Sequence, residues 1–247
     1  MATSILTLDL GNSTLDAMWH SEPPLRKRLE SGDEAGLREF AAGRRAHVAA
    51  AVSVVGVGGL TVAERLLAET GCPLLIAGQQ LPCPLTIAYR EPERLGPDRW
   101  VGAYAAWKLY GPAVVVDCGS AVTVDFVDRE GVFRGGLIAP GAQAMARGLA
   151  AQAPGLPVAD LEVAPEIPAL SPEAAVSVGV QLGFRAMVDG LAVLLRESLG
   201  SAGATLVLTG GGAPAYLAGS GLEYRHHGDL IHQGLRWLAE KHGDSNS

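Results

Sequence analysis

The chain lacks several features that would define other classes of protein. Only three of its 247 residues are cysteine: Cys72, Cys83 and Cys118. They are scattered, with no CxxC or Cys/His spacing, which argues against a disulfide framework and a structural zinc site and favours a reducing compartment. A basic excess is also missing. Nineteen Lys and Arg stand against 26 Asp and Glu, a net charge of −7, so a nucleic-acid partner is not expected. The two small basic clusters, Arg26-Lys27-Arg28 and Arg44-Arg45, read as solvated surface. No long hydrophobic run is present: the apolar stretch from Ala49 to Leu60 is too short to span a bilayer and ends at a Gly-Gly pair. The N-terminus has no basic region, and Asp9 interrupts its first apolar run, unlike a signal peptide. These absences predict a cytoplasmic protein with no membrane partner. Any phosphate chemistry must come from backbone amides, a metal and a few side chains, because the lysine-bearing phosphate loop (GxxxxGK[ST]) is missing as well.

The sequence does contain one short pattern twice. Ile5-Leu6-Thr7-Leu8-Asp9-Leu10-Gly11-Asn12-Ser13-Thr14 is an apolar run, an aspartate, a glycine-bearing turn and hydroxyl side chains. Val114-Val115-Val116-Asp117-Cys118-Gly119-Ser120-Ala121-Val122-Thr123 repeats it, with Asp117 108 positions after Asp9. In each copy a buried strand delivers a carboxylate to a tight turn. Glycine lets backbone approach a ligand closely, and a carboxylate suits an oxygen-seeking cation. One copy alone is adequately explained as a hairpin turn with a satisfied Asp. Two copies favour phosphate handling and suggest similar halves, residues 1–111 and 112–247, facing each other across a nucleotide.

The remaining pattern is strand and helix in alternation. Strands are expected at Ser4–Asp9, Thr14–Trp19, His47–Val57, Pro73–Ala77, Val114–Asp117, Thr123–Val127, Val132–Phe133 and Thr205–Leu208. Helices are expected at Glu34–Gly43, Thr61–Thr70, Asp98–Tyr110, Gly141–Ala151, from Ser171-Pro172-Glu173 through Leu199, and over Leu230–Lys241. Glu22–Ser31 reads as a loop or ragged edge, Pro82–Pro97 as a Pro-punctuated loop, and Gly135–Gly141 as a glycine-rich turn. The fold class is mixed α/β with internal duplication.

Two further stretches carry candidate chemistry. Thr209-Gly210-Gly211-Gly212 follows a β-branched strand, and its bare backbone would let a base or ribose lie close; it reads equally as a flexible loop. Gly96-Pro97-Asp98-Arg99 precedes a helix. Asp98 is either an N-cap or a base accepting a hydroxyl proton, with Arg99 orienting a substrate anion.

Taken in order, these stretches, together with Tyr110-Gly111 and Gly135–Gly141, resemble the type III pantothenate kinases of the actin/hexokinase/Hsp70-like superfamily. The resemblance implies duplicated actin-like (ribonuclease H-like) mixed-sheet domains with a nucleotide cleft between them. It also implies ATP-dependent phosphorylation of pantothenate to 4′-phosphopantothenate, the first step of coenzyme A synthesis, by a cytoplasmic homodimer. Asp9, Leu10, Gly11, Asn12, Ser13, Thr14, Leu15 and Asp16 would form the first ATP phosphate loop, with Ser120, Gly210 and Gly211 also contacting ATP. Asp98 would be the general base. Tyr89, Gly96, Pro97, Asp98, Arg99 and the Ser171-Pro172 pair would bind pantothenate. Asp117 would hold K⁺ or NH₄⁺, and Asp9 the Mg²⁺ that accompanies ATP. The chain departs from the family's pattern at Ser13 and Ser120 (usually threonine), Pro97 (commonly alanine) and Gly102 (often Asn). A substrate threonine of the family falls near Pro172, which offers neither hydroxyl nor N–H. Pro172 keeps two alternatives open: a non-catalytic nucleotide-binding regulatory relative, and a kinase for another small alcohol.

Overall fold

The structure, a computed structural model, describes residues 4–54, 57–200 and 203–245. The elements run β1 (Ile5–Leu10), β2 (Thr14–Trp19), β3 (Leu25–Glu30), α1 (Glu34–Ala41), β4 (Val48–Ser53), α2 (Val57–Thr70), β5 (Leu74–Ile76), β6 (Thr86–Ile87) and α3 (Pro97–Tyr110). They continue with β7 (Ala113–Cys118), β8 (Ala121–Val127), β9 (Val132–Pro140), α4 (Ala142–Gln152), α5 (Pro172–Ser198), β10 (Thr205–Thr209), α6 (Ala213–Leu217), β11 (Arg225–His226) and α7 (Leu230–Ser245). The chain forms two units, Met1–Leu109 with Asp229–Ser247, and Tyr110–Gly228. The expected division after residue 111 lies close to the first crossing. Residues 229–247, expected with the second half, group instead with the first, because α7 packs on β1 and β4.

Both units are mixed α/β and share one strand pattern. In the first unit the order is β3-β2-β1-β4-β5, with β1, β2 and β3 antiparallel and β1, β4 and β5 parallel. In the second, β9-β8-β7-β10-β11 repeats it, a meander followed by parallel additions. The duplication suggested by the two aspartate turns is therefore present in the topology, with Asp9 and Asp117 near the carboxyl ends of equivalent strands.

Alternation along the strands divides each sheet into two faces. In the first unit Leu6, Leu8, Leu10, Leu15, Ala17 and Trp19 pack with Leu37 of α1 and with Leu66 and Leu67 of α2. Thr7, Asp9, Asp16 and Met18 lie on the other face, toward α7. In the second unit Val114, Val116, Val122, Val124 and Phe126 pack with Phe184 and Val188 of α5 and with Leu206, Leu208 and Tyr216. By length and composition α5 would suffice to cross a membrane, but Val178, Val180, Phe184, Val188 and Ala192 are buried along it, as in a core helix.

Three expectations need correction. Of Glu22–Ser31, expected as a loop or ragged edge, Leu25–Glu30 is a regular edge strand that pairs along all of β2. Its charges hide the β pattern because Arg26 and Arg28 face a buried carboxylate. Gly135–Gly141 is mostly not a turn but the continuation of β9, with a register shift opposite Phe126 and Val127. A Cβ on Gly136 would stand 2.3 Å from the Val124 carbonyl oxygen, so glycine here permits close strand approach and not a bend. Of the strand expected over His47–Val57, Val48–Ser53 forms β4; residues 55 and 56 lie outside the described residues, and Val57 opens α2.

Helices α3 and α7 meet at Gly234. A Cβ there would stand 2.8 Å from both the Cγ1 and the carbonyl oxygen of Val101, in a segment of α3 that is wholly buried. Overpacking of this kind costs about 1–3 kcal/mol. Gly234→Ala is therefore expected to lower the melting temperature by several degrees, and an unchanged thermal melt would show that the two helices do not meet so closely.

Candidate active site

At the first aspartate turn, β1 ends at Leu10, and the Gly11 amide donates to the Thr14 carbonyl oxygen at 2.9 Å. This closes the hairpin and leaves Asn12, Ser13 and Thr14 exposed at its tip. Leu10 and Leu15 turn their side chains into the core, so they can offer a ligand only backbone. Asp9 is half-buried and sits directly opposite Asp16 in the β1–β2 register.

Asp16 sits in a different environment. It is buried, and its carboxylate accepts from Nε and Nη2 of Arg26, both at 2.8 Å, and from Nε and Nη2 of Arg28 at 3.1 and 2.9 Å. His232 of α7 brings Nε2 to 3.3 Å from Asp16 Oδ1, and its Nδ1 lies 2.8 Å from the Thr7 hydroxyl, which is also 3.0 Å from His20 Nε2. Burial alone would raise the Asp16 pKa. The hydrogen bonds from Arg26 and the proximity of His232 outweigh it, and the carboxyl is held well below its usual range. The sequence reading missed this network, and it corrects the view of Arg26-Lys27-Arg28 as plain surface. The alternation of Arg26 and Arg28 about Lys27 was the available signal.

His20 has the opposite problem: burial, together with His232 and Arg236, pushes its pKa down to about 4. The unfolded chain takes up this proton near pH 6.5 while the folded protein refuses it, so stability falls as pH drops from about 6.5 toward 4. His20→Gln is expected to flatten that part of the stability–pH curve, as read from denaturant midpoints. A parallel curve would show that His20 does not titrate in this way.

The second aspartate turn lies at the carboxyl ends of β7 and β10. The Gly119 amide donates to the Ala121 carbonyl oxygen at 3.1 Å, and the Gly141 amide to that of Ser120 at 3.2 Å. Gly210 has a φ of +91°, and a Cβ on it would stand 2.3 Å from Asp117 Oδ1 and 2.6 Å from the Cys118 nitrogen. The Gly212 amide donates to the Cys118 carbonyl oxygen at 2.9 Å. Asp117, Gly119, Ser120, Gly210 and Gly211 are thus gathered in one cradle within the second unit. Its bare backbone surrounds a half-buried carboxylate. Cys118 points into the core, and its thiol, pushed up to about 12 by burial, is not a nucleophile.

Asp98 lies in the first turn of α3, which Pro97 opens, so the N-cap reading of Asp98 fails: the cap position belongs to Gly96. Its carboxylate folds back over Gly96, where a Cβ would stand 2.5 Å from Asp98 Oδ1. That oxygen is buried and makes no hydrogen bond. Burial raises the Asp98 pKa, more than the nearby backbone amides and Arg99 lower it. The guanidinium of Arg99 is buried and lies 5.8 Å from the centre of the Tyr89 ring. Pro97 approaches Gly78, just beyond β5, so this group stands at the same carboxyl edge of the sheet as Asp9. The structure therefore brings Tyr89, Gly96, Pro97, Asp98 and Arg99 together. Ser171 and Pro172 lie in the second unit, where the Ser171 hydroxyl oxygen accepts from the Ala174 amide at 3.2 Å and caps α5, with Pro172 at the first helical position.

No three His, Cys, Asp or Glu side chains gather into a metal centre among the described residues. Mg²⁺ that arrives with nucleotide phosphates uses one or two carboxylates and keeps several waters. Asp9 fits that role. The glycines around Asp117 bring bare backbone against its carboxylate, with a Cβ on Gly210 standing only 2.3 Å from Asp117 Oδ1, and that carboxylate is the oxygen donor this turn has for a monovalent cation.

The model of the type III pantothenate kinase family matches residues 5–193. A type III pantothenate kinase of Desulfovibrio desulfuricans is 38% identical over 181 residues, 71% of this chain and 68% of that protein. Across the first relatives matched, the chain spans between 50% and 68% of their own length. Among solved structures, a Campylobacter jejuni protein of the Baf family superposes with a TM-score of 0.63 at 20% identity, over 97% of this chain and 99% of that one. The archaeal actin homologue Ta0583 does so with a TM-score of 0.53 at 13% identity, over 96% and 99%. These structural likenesses establish the actin-like fold.

Proposed function

Because the chain belongs to the type III pantothenate kinase family, we propose that it transfers the γ-phosphoryl group of ATP to the 4′-hydroxyl of pantothenate, opening coenzyme A synthesis. The observation that carries this reading is the Asp98 carboxylate, with its buried Oδ1 lacking a hydrogen bond beside Arg99 and Tyr89. An acceptor hydroxyl supplies the donor that this oxygen lacks. Asp98 takes the proton as the oxygen attacks phosphorus, ADP leaves, and the raised pKa suits a base. Arg99 faces the substrate carboxylate with a charge-assisted contact, and Tyr89 stacks beside it.

Phosphoryl transfer depends mainly on positioning and charge neutralisation. With the Gly11 amide spent on closing the hairpin, Asn12 and Ser13 at its tip are the residues to offer polar groups to phosphate oxygens, as is Ser120. The bare backbone of Gly210 and Gly211 receives the nucleoside. Asp9 is the residue to hold Mg²⁺ and Asp117 the one to hold K⁺ or NH₄⁺; bound there, the two cations would neutralise charge on the phosphates. The reading includes a cytoplasmic homodimer with no nucleic-acid or membrane partner, consistent with the net charge of −7.

Pro172 favours a second reading, a nucleotide-binding regulator or a kinase of another alcohol, because the family's threonine hydroxyl is gone and the neighbouring Ser171 oxygen is spent on a cap. Coupled ADP release with Mg²⁺, K⁺ and a panel of small alcohols separates them. Pantothenate is expected to give the highest kcat/KM. Turnover preferring another acceptor, or nucleotide binding with no turnover, would replace the proposal.

A further inference from the structure

One carboxylate of the second unit gathers more donors than a helix surface requires. Asp189 stands on α5, next to the buried Val188. Its Oδ1 accepts from the Tyr216 hydroxyl, from Ser220 Oγ at 2.9 Å and from the Tyr224 hydroxyl at 3.2 Å, and its Oδ2 from the Gly221 amide at 3.3 Å. All four donors come from residues 216–224, just downstream of the Thr209-Gly210-Gly211-Gly212 loop. Tyr216 is buried and meets the rings of Phe184 and Tyr224 edge to face, with centroids 6.1 and 5.6 Å away. Burial, and after it the neighbouring oxygens, raise the pKa of both phenols, so they stay protonated as donors. One turn earlier on α5, the Arg185 guanidinium lies against bare Gly219, where a Cβ would stand 2.3 Å from Nη1.

These donors belong to an element that cannot hold itself. Helix α6 has five residues and no side-chain cap, and a helix that short is not stable alone. It is fixed from two ends. At its start the Gly212 amide donates to the Cys118 carbonyl oxygen at 2.9 Å, the Ala213 amide to that of Gly210 at 3.2 Å, and the Tyr216 amide to that of Gly212 at 3.2 Å. At its far end Tyr216 and the turn after it are tied to Asp189. One helical turn therefore separates the Asp189 anchor from the glycine loop.

We propose that Asp189 is a positioning residue for the nucleoside of ATP. Through Tyr216 it sets where α6 begins, and with it the backbone of Gly210 and Gly211 against which the base and ribose lie. The inference deepens the kinase reading and rests on that placement of the nucleoside. It asks nothing of the phosphates, which fall to the aspartate turns. An Asp189 that only stabilised the unit would lower the melting temperature and leave ligand binding by the folded protein unchanged.

The test is calorimetric titration with Mg²⁺·ATP and with Mg²⁺·tripolyphosphate, at a temperature where circular dichroism shows each variant folded. Tripolyphosphate carries the phosphate chain without the nucleoside. Asp189→Asn is expected to weaken ATP about tenfold and tripolyphosphate by less than about twofold, since hydrogen bonds to a charged group are lost beside the nucleoside only. Tyr216→Phe keeps the ring and removes the hydroxyl, and is expected to weaken ATP about threefold or more while sparing tripolyphosphate. Because the two side chains act through one bond, the double variant is expected to bind ATP within about twofold of Asp189→Asn alone. ATP affinity within about twofold of the parent in folded Asp189→Asn would overturn the proposal, as would equal loss for both ligands or losses that multiply in the double variant. If Asp189→Asn does not fold, Tyr216→Phe decides by the same contrast between ligands. If tripolyphosphate binds too weakly to measure, the ATP titrations and the double variant decide. A parent that binds no ATP would overturn the inference together with the kinase reading. A parent that follows the expected pattern yet never phosphorylates pantothenate would sink the kinase reading and leave the inference standing.

Discussion

Asp98→Asn is expected to fold normally and to lose kcat by about 10²–10⁴-fold, the usual contribution of a positioned general base. The amide keeps the shape of the carboxylate, so packing over Gly96 survives, while the base proposed to accept the hydroxyl proton is gone. Binding of Mg²⁺·ATP should change little, because Asp98 lies at the start of α3 and not in the aspartate turns. The pH profile gives a second reading of the same variant. Burial raises the Asp98 pKa, so the parent should lose kcat on the acid side above the ordinary carboxylate range, as the base becomes protonated. That limb should disappear in Asp98→Asn. A folded variant with parental turnover would remove Asp98 from the chemistry.

Gly210→Val is expected to be the most damaging single change in the second unit. At a φ of +91° a β-branched residue is strained, and its Cβ would meet Asp117 Oδ1 at 2.3 Å and Cys118 backbone at 2.6 Å. Backbone strain and overpacking each cost about 1–3 kcal/mol. In a chain of this size the sum is a fall of about 5–15 °C in melting temperature. Relief of the clash must move either Asp117 or the β10 turn, so nucleotide affinity should fall with stability. Gly210→Ala should show the same direction at smaller size. A thermal melt of Gly210→Val within about 2 °C of the parent would contradict the cradle described for Asp117.

The duplicated fold was legible because its signal is local. Each half begins with an apolar strand, an acid and a glycine turn, and backbone geometry demands glycine where strands cross closely. The start of α3 was legible through a helix-opening Pro97 and a bare Gly96, which the Asp98 carboxylate covers. What stayed hidden depends on distance along the chain. Arg26 and Arg28 look like surface until β3 is paired beside β2, and His232 lies 216 positions beyond Asp16. The return of α7 to the first unit was invisible for the same reason: its apolar stripe says that it packs, not on which sheet. Gly135 and Gly136 misled in the other direction, since glycine marks both turns and crowded strands, and only the register with β8 tells them apart.

The most direct measurement is the identity of the phosphorylated product. Incubation with pantothenate, ATP, Mg²⁺ and K⁺, followed by mass spectrometry and phosphorus NMR, is expected to show one phosphoryl group on the 4′-oxygen, formed in proportion to ADP. ADP appearing without phosphorylated pantothenate, or no ADP from a protein that demonstrably binds ATP, would contradict the account.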